Sequence, residues 1–80
     1  SDNPSAIAFY TSLIEINPKL SDFYLSRAKL YEKSKKFAEA EGDLNMCIKL
    51  QPNDTLGYES RGSLRASMHR NAEALTDYTA

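Results

Sequence analysis

Tryptophan and valine are absent from this 80-residue chain, and cysteine and histidine occur once each. The lone Cys47 has no partner for an intramolecular disulfide. One Cys and one His are too few for a compact zinc site, which takes four ligands. No cofactor or metal is therefore expected. The β-branched residues are only four Ile and four Thr, little material for a pleated sheet surface. Three Gly and three Pro leave few hairpin turns. No apolar run approaches the ~20 residues of a membrane span, so no membrane is expected as a partner, and no signal peptide is visible. The charges nearly cancel, ten basic against eleven acidic for a net −1, with a pI near 5.7. No global basic field draws nucleic acid. Glycine-rich phosphate loops, nucleophile elbows and metal-ligand spacings are missing too, so no enzyme is expected.

What the chain does have is nine Ala and nine Leu, which favour helix. It also has a period. Shifted by 34 residues, Pro18 falls on Pro52, Tyr24 on Tyr58, Ser26 on Ser60 and Arg27 on Arg61. Ala38-Glu39-Ala40 falls on Ala72-Glu73-Ala74, Asp43 on Asp77, Ala6 on Ala40, and Ile16 on Leu50. Self-similarity at a fixed period of this length signals a stacked repeat. The spacing predicts two helices per repeat. Residues 21–34 carry Tyr24, Arg27, Ala28 and Tyr31 at i, i+3, i+4, i+7, with Ser21 as the expected N-cap. A turn follows at Ser34-Lys35-Lys36. Residues 37–50 place Ala40, Leu44, Cys47 and Ile48 on one face, and Pro52 stops that helix. Asn53-Asp54 caps a helix over 55–68, and another begins near 71. Asn3-Pro4 opens a helix running to about Ile16.

Tyr24, Arg27-Ala28, Tyr31, Ala40, Leu44 and Pro52, with Tyr58, Arg61-Gly62, Arg65, Ala74 and Tyr78 one repeat on and Ala6, Tyr10 and Pro18 one repeat back, resemble the tetratricopeptide repeat pattern. The resemblance covers almost the whole chain. It implies an all-α fold: antiparallel helix-turn-helix units stacked as a right-handed solenoid fragment. The expected organisation is the second helix of one repeat over 4–17, a full repeat over 21–54 and a partial repeat over 55–80. Small residues at Ala28, Gly62, Ala6, Ala40 and Ala74 let helices approach, and the tyrosines fill the space between them. Neighbouring repeats must stack to bury a continuous core. Ala6, Tyr10, Leu13 and Ile14 at one end, and Leu75 and Tyr78 at the other, are expected to be partly uncovered. Self-association through these ends, or marginal stability, follows as an expectation.

The pattern is broken at five residues. Arg27 and Arg61 stand where the family has Leu, Arg65 replaces the Tyr found at Tyr31, and Lys35 and His69 stand where many members have Gly in the turn. If that turn needs φ > 0, both carry backbone strain. Each substituted Arg is followed sixteen residues later by an acid, Asp43 and Asp77. This predicts structural inter-helix pairs Arg27–Asp43 and Arg61–Asp77, with Arg61–Asp43 as the competing arrangement. Arginine suits the role because its planar fork holds a carboxylate bidentately. Cys47 is expected as a packed, unreactive thiol, and His69 as an exposed turn residue. Glu39 and Asp43, at i, i+4, are expected as a solvated pair on an outward helix face.

The resemblance implies a protein–protein interaction scaffold, its partner a peptide or helix held in a concave groove lined by first helices. The stripe turned away from Tyr24, Ala28 and Tyr31 is Asp22, Leu25, Ser26, Lys29 and Lys33. One repeat on it becomes Leu56, Glu59, Ser60, Ser63 and Ser67. Residues 27–36 carry five cations against Glu32, and residues 37–54 four acids against Lys49. A mixed floor with Lys29 and Lys33 suits a peptide with an apolar anchor and an acidic flank. The chaperone-docking members of the family grip a terminal carboxylate with Lys, Asn and Arg on first helices. In the frame where the full repeat is the middle one, the Asn spot holds Ser26 and the Lys and Arg spots hold Leu56 and Ser60. Taking it as the first repeat puts Leu25 and Lys29 at the Lys and Asn spots, and as the last, Asp22 and Ser26 at the Lys and Arg spots. No frame restores the charges, so tight carboxylate-dependent capture is not expected. The rivals are an RNA-binding helical repeat, which the pI disfavours, a spacer within a longer array, and a repeat domain attached to an enzyme. The expected compartment is the cytoplasm.

Overall fold

The structure is a computed structural model that describes residues 4–68. It contains four helices in chain order: α1 (Pro4–Ile16), α2 (Ser21–Lys33), α3 (Phe37–Leu50) and α4 (Thr55–Ser67). Connections of three or four residues force consecutive helices to run antiparallel. α2 packs on α1 and α3, and α3 packs on α4, so α2 and α4 point the same way. Among the described residues no helix is long and apolar enough to cross a membrane.

Each helix boundary has a local cause. α1 begins at Pro4, where a missing N–H is harmless and φ is already helical. Asp54 caps α4 by accepting the Leu56 N–H at 3.0 Å. The capping expected of Ser21 does not occur. Ser21 is already the first helical residue and Leu20 occupies the cap position, with no side-chain bond. Entry into α2 is set by tertiary contact instead: the Tyr24 hydroxyl donates to the Pro18 carbonyl at 2.9 Å. At the other end of α2, the Lys36 N–H donates to the Tyr31 carbonyl at 2.9 Å and the Lys35 N–H to the Glu32 carbonyl at 3.0 Å. These two bonds make a Schellman cap, which requires a left-handed residue between them. That residue is Lys35, at φ 61°. The matching position, His69, lies outside the described residues.

The core divides into two clusters. Ala28, Ala40, Leu44 and Leu64 join α2, α3 and α4, with Tyr31 and Phe37 packed against them. Ile14, Tyr24 and Cys47 join α1, α2 and α3. Half-buried Leu25 packs against both clusters. Gly57 is a close-approach point: a Cβ there would sit 2.9 Å from Ile48 Cγ1. Gly42, in the middle of α3, has open space around it. At the α1 end Ile14 is buried, while Ala6, Tyr10 and Leu13 are half-buried. Phe9 and Ile16 are the exposed large apolar residues of α1, at 60% and 80%.

Candidate functional site

The polar framework behind the first helices is built on arginine. Arg27 reaches from α2 to α3, where its Nε and Nη2 donate to the two Asp43 carboxylate oxygens at 2.9 and 2.7 Å. Its Nη1 donates to Thr11 Oγ1 on α1 at 3.0 Å, and its guanidinium lies 5.6 Å from the Tyr31 ring centre. One side chain therefore ties three helices together. The hydrogen bonds to Asp43 hold the Arg27 proton more tightly than usual, outweighing burial, which acts the other way. Asp43 is 6% exposed, so the outward, solvated Glu39–Asp43 pair does not form. The face of α3 carrying Asp43 turns toward α2, because the side chain there can satisfy both oxygens on the fork of Arg27.

The same layout recurs one repeat on. Arg61 Nη1 donates to Asn45 Oδ1 at 2.9 Å, and Asn45 is the counterpart of Thr11. Its guanidinium sits 5.7 Å from the Tyr58 ring centre. Asp77 lies outside the described residues, and Asp43 is taken by Arg27. Sequence reasoning missed a further pair, Arg65 Nε to Glu41 Oε2 at 2.8 Å across α4 and α3. Their counterparts one repeat earlier are Tyr31 and Ile7, so both positions become charged together. That joint change was the available signal.

Cys47 is buried, and its thiol donates to the Ser21 carbonyl at 3.4 Å. Burial first, then the field of Asp43, pushes its pKa up to about 11. A thiol so held is protonated near neutrality and is a poor nucleophile. Among the described residues no cluster of His, Cys, Asp or Glu is arranged to hold a metal.

The exposed faces of α2 and α4 form the remaining candidate site. Asp22, Lys29 and Lys33 are exposed on α2, with Leu25 and Ser26 half-buried between them. On α4, Leu56, Glu59, Ser63 and Ser67 are exposed and Ser60 is half-buried. Ser67 Oγ turns back to the Ser63 carbonyl at 3.1 Å. The N-terminal ends of both helices meet in a cleft where Asp22, Leu25, Asp54, Leu56 and Gly57 come together over Cys47. Its space for water centres is about 20 Å³, room for about one water molecule. The cleft is a shallow notch on the surface rather than a cavity for a small ligand. Leu56 stands 50% exposed at its edge.

The first tetratricopeptide repeat domain of Spaghetti (RPAP3), solved bound to the HSP90 peptide SRMEEVD, matches with a TM-score of 0.85 and 34% sequence identity, over 91% of this chain and 58% of that one. The chain belongs to the tetratricopeptide repeat family. The Hsp70-Hsp90 organizing protein of Triticum aestivum is 35% identical over 77 residues, 96% of this chain and 13% of that protein. Human serine/threonine-protein phosphatase 5 is 31% identical over 77 residues, 96% of this chain and 15% of that protein. The tetratricopeptide segment thus spans about a seventh of the curated relatives it matches, in an organizing protein and in an enzyme alike. No protein-family model matches the chain.

Proposed function

We propose that this tetratricopeptide repeat segment is a non-catalytic protein-interaction module that holds an extended peptide or partner helix against α2 and α4. In this reading α1 is the second helix of one repeat, α2 and α3 form a full repeat, and α4 opens the next. The observation that carries the reading is the Leu25–Leu56 cleft, a notch of mixed polar and apolar lining between the first helices, with half-exposed Leu56 at its edge and Lys29 and Lys33 further along α2. The RPAP3 domain, which resembles this chain along most of its length, binds an HSP90 peptide. That likeness supports a peptide as the partner here.

Recognition of a terminal carboxylate is not part of the proposal. Ser26, Leu56 and Ser60 supply no cation where chaperone-docking members would have their clamp. The experiment is a chemical-shift titration with the heptapeptide SRMEEVD, free and amidated at its C-terminus. Shifts on α2 and α4 that do not depend on amidation are expected. Shifts confined to the outer face of α3, around Glu39 and Asn45, would refute the groove. Low-micromolar affinity lost on amidation would refute carboxylate independence. Charge reversal at Lys29 and Lys33 should weaken binding and reduce its salt dependence. The exposed Phe9 and Ile16 of α1 support self-association, which light scattering at high concentration detects; a monomer there counts against it.

A further inference from the structure

The groove is electrically ordered along its length. Asp22, Leu25, Lys29 and Lys33 follow one another at spacings of three, four and four residues, which places them on one stripe of α2. Asp54 lies beside Asp22 at the cleft, since the N-termini of α2 and α4 meet there. Asp22 and Asp54 therefore stand at one end of the groove, the leucines next with the exposed Glu59 of α4 at the level of Leu25, and the two lysines at the other end. Asp22, Lys29 and Lys33 are exposed, and no ion pair engages any of them among the described residues. Asp54 spends one oxygen on its cap bond to Leu56. Lys19 and Lys49 do not line the cleft. Positive helix N-termini offset the acids only in part, about half a charge each.

We infer that this groove reads an internal peptide segment by the order of its charges: a basic residue at Asp22 and Asp54, an aliphatic residue on Leu25 and Leu56, and acidic residues at Lys29 and Lys33. The inference rests on the groove reading above and names its ligand class. Charge complementarity sets the occupant. A Lys or Arg can lay its aliphatic stem over the cleft while its charged head meets the acids in water. The spacing follows from geometry. At about 1.5 Å per helical residue, Leu25, Lys29 and Lys33 lie roughly 4.5, 10.5 and 16.5 Å along α2 from Asp22. An extended peptide advances about 3.3 Å per residue. Its successive side chains alternate between faces, so residues that meet one stripe are two apart, about 6.6 Å: with the aliphatic residue on Leu25, the basic residue falls two positions before it and the acids two and four positions after it. No terminal carboxylate enters this scheme, so the segment can lie within a longer chain or tail.

The probe is the acetylated, amidated peptide Gly-Lys-Ser-Leu-Ser-Glu-Ser-Glu, compared with its charge-reversed form Gly-Glu-Ser-Leu-Ser-Lys-Ser-Lys. Fluorescence anisotropy at low and high salt reads both affinities, and chemical shifts locate each peptide. The first peptide should bind at least tenfold tighter at low salt, with shifts at Asp22, Leu25, Leu56, Lys29 and Lys33, and the margin should shrink at high salt. The variant carrying Asp22→Lys, Lys29→Glu and Lys33→Glu, all at exposed positions, should prefer the reversed peptide. Equal binding of the two peptides on α2 and α4 overturns the charge order while leaving the groove in place. Failure of both peptides to shift α2 or α4 overturns the groove and the inference together.

Discussion

Removing the carboxylate of Asp43 is the most demanding test of the framework described above. In Asp43→Ala, Arg27 loses both short bonds of its fork and keeps only Thr11 and the Tyr31 ring. The Arg27 side chain is 17% exposed and that of Asp43 8%, so the pair is nearly buried. Breaking one side of a buried pair typically costs about 3–5 kcal/mol. Partial access of Arg27 to water lets it relax, which places the expected loss near the lower limit, about 3 kcal/mol. A chain of this size has a total stability of roughly 4–12 kcal/mol, so the variant sits near the edge of folding. Replacing both partners by apolar residues, Arg27→Met with Asp43→Leu, leaves no stranded charge and should recover most of the loss. Urea unfolding followed by far-ultraviolet circular dichroism measures all the variants. With a slope near 1 kcal/mol per molar, typical of small domains, Asp43→Ala should lower the midpoint by about 3 M. A coupling energy above about 1 kcal/mol is expected from the cycle, because the two groups act as a unit. A loss below about 1 kcal/mol for Asp43→Ala, or a double variant as unstable as the sum of the singles, would show that the pair does not hold the three helices.

Three further outcomes follow from single positions. Gly42→Ala should stabilise by about 1 kcal/mol, since it adds helix propensity in open space, whereas Gly57→Ala should destabilise by about 1 kcal/mol, because its Cβ strikes Ile48 on α3; thermal melts that rank the two the other way refute the close approach. Lys35→Gly should stabilise by up to about 1 kcal/mol by relieving a left-handed lysine, and Lys35→Ala should not; equal melting points for both would remove the strain. The Cys47 thiol, pushed up to about 11 by burial, should react slowly with iodoacetamide at pH 8 in the folded protein and rapidly in denaturant. Its proton is held more tightly folded than unfolded, so between its ordinary value of 9.0 and about 11 this group makes stability fall as pH rises; labelling of the native state as fast as of the denatured one contradicts the burial.

Different physical causes made some of this legible in the sequence and hid the rest. The period and the span of α3 are local information. Pro52 stops a helix wherever it stands, and an Ala recurring every 34 residues has few explanations besides close helix approach. The spacing of Arg27 and Asp43 also carried meaning, because two such pairs share it. The capping role given to Ser21 failed because residue preference at a helix start is weak beside a tertiary anchor, here the Tyr24 hydroxyl on the Pro18 carbonyl. By spacing alone Asp43 fits both a partnership with Arg27 and a solvated face with Glu39. A helical wheel does not say which neighbour covers which stripe, and only the packing of α2 on α3 decides. The Arg65–Glu41 bond joins a position to the preceding repeat at an offset that occurs once, so no recurrence advertised it. Gly57 looked like any glycine until Ile48 was placed above it.

The fate of the substitutions separates what the fold requires from what it leaves free. At positions facing a neighbouring helix, an exchange of character is answered by a partner: Arg27 has Asp43 and Thr11, Arg61 has Asn45, and Arg65 has Glu41. For Arg27 and Arg65 burial demands the answer, because an unmatched charge there costs several kcal/mol, whereas the Arg61–Asn45 bond is exposed. On the stripe of Asp22, Ser26, Lys29 and Lys33 and its counterpart on α4, the residues are not so answered. Asp22 becomes Leu56, and Lys29 and Lys33 become Ser63 and Ser67, with no compensating change against them inside the described residues. Solvent tolerates either choice at little cost, so folding does not explain the particular order of acid, leucine and lysine on α2. If that order has a physical reader, it lies outside the fold, and a peptide carrying the complementary order is the simplest one.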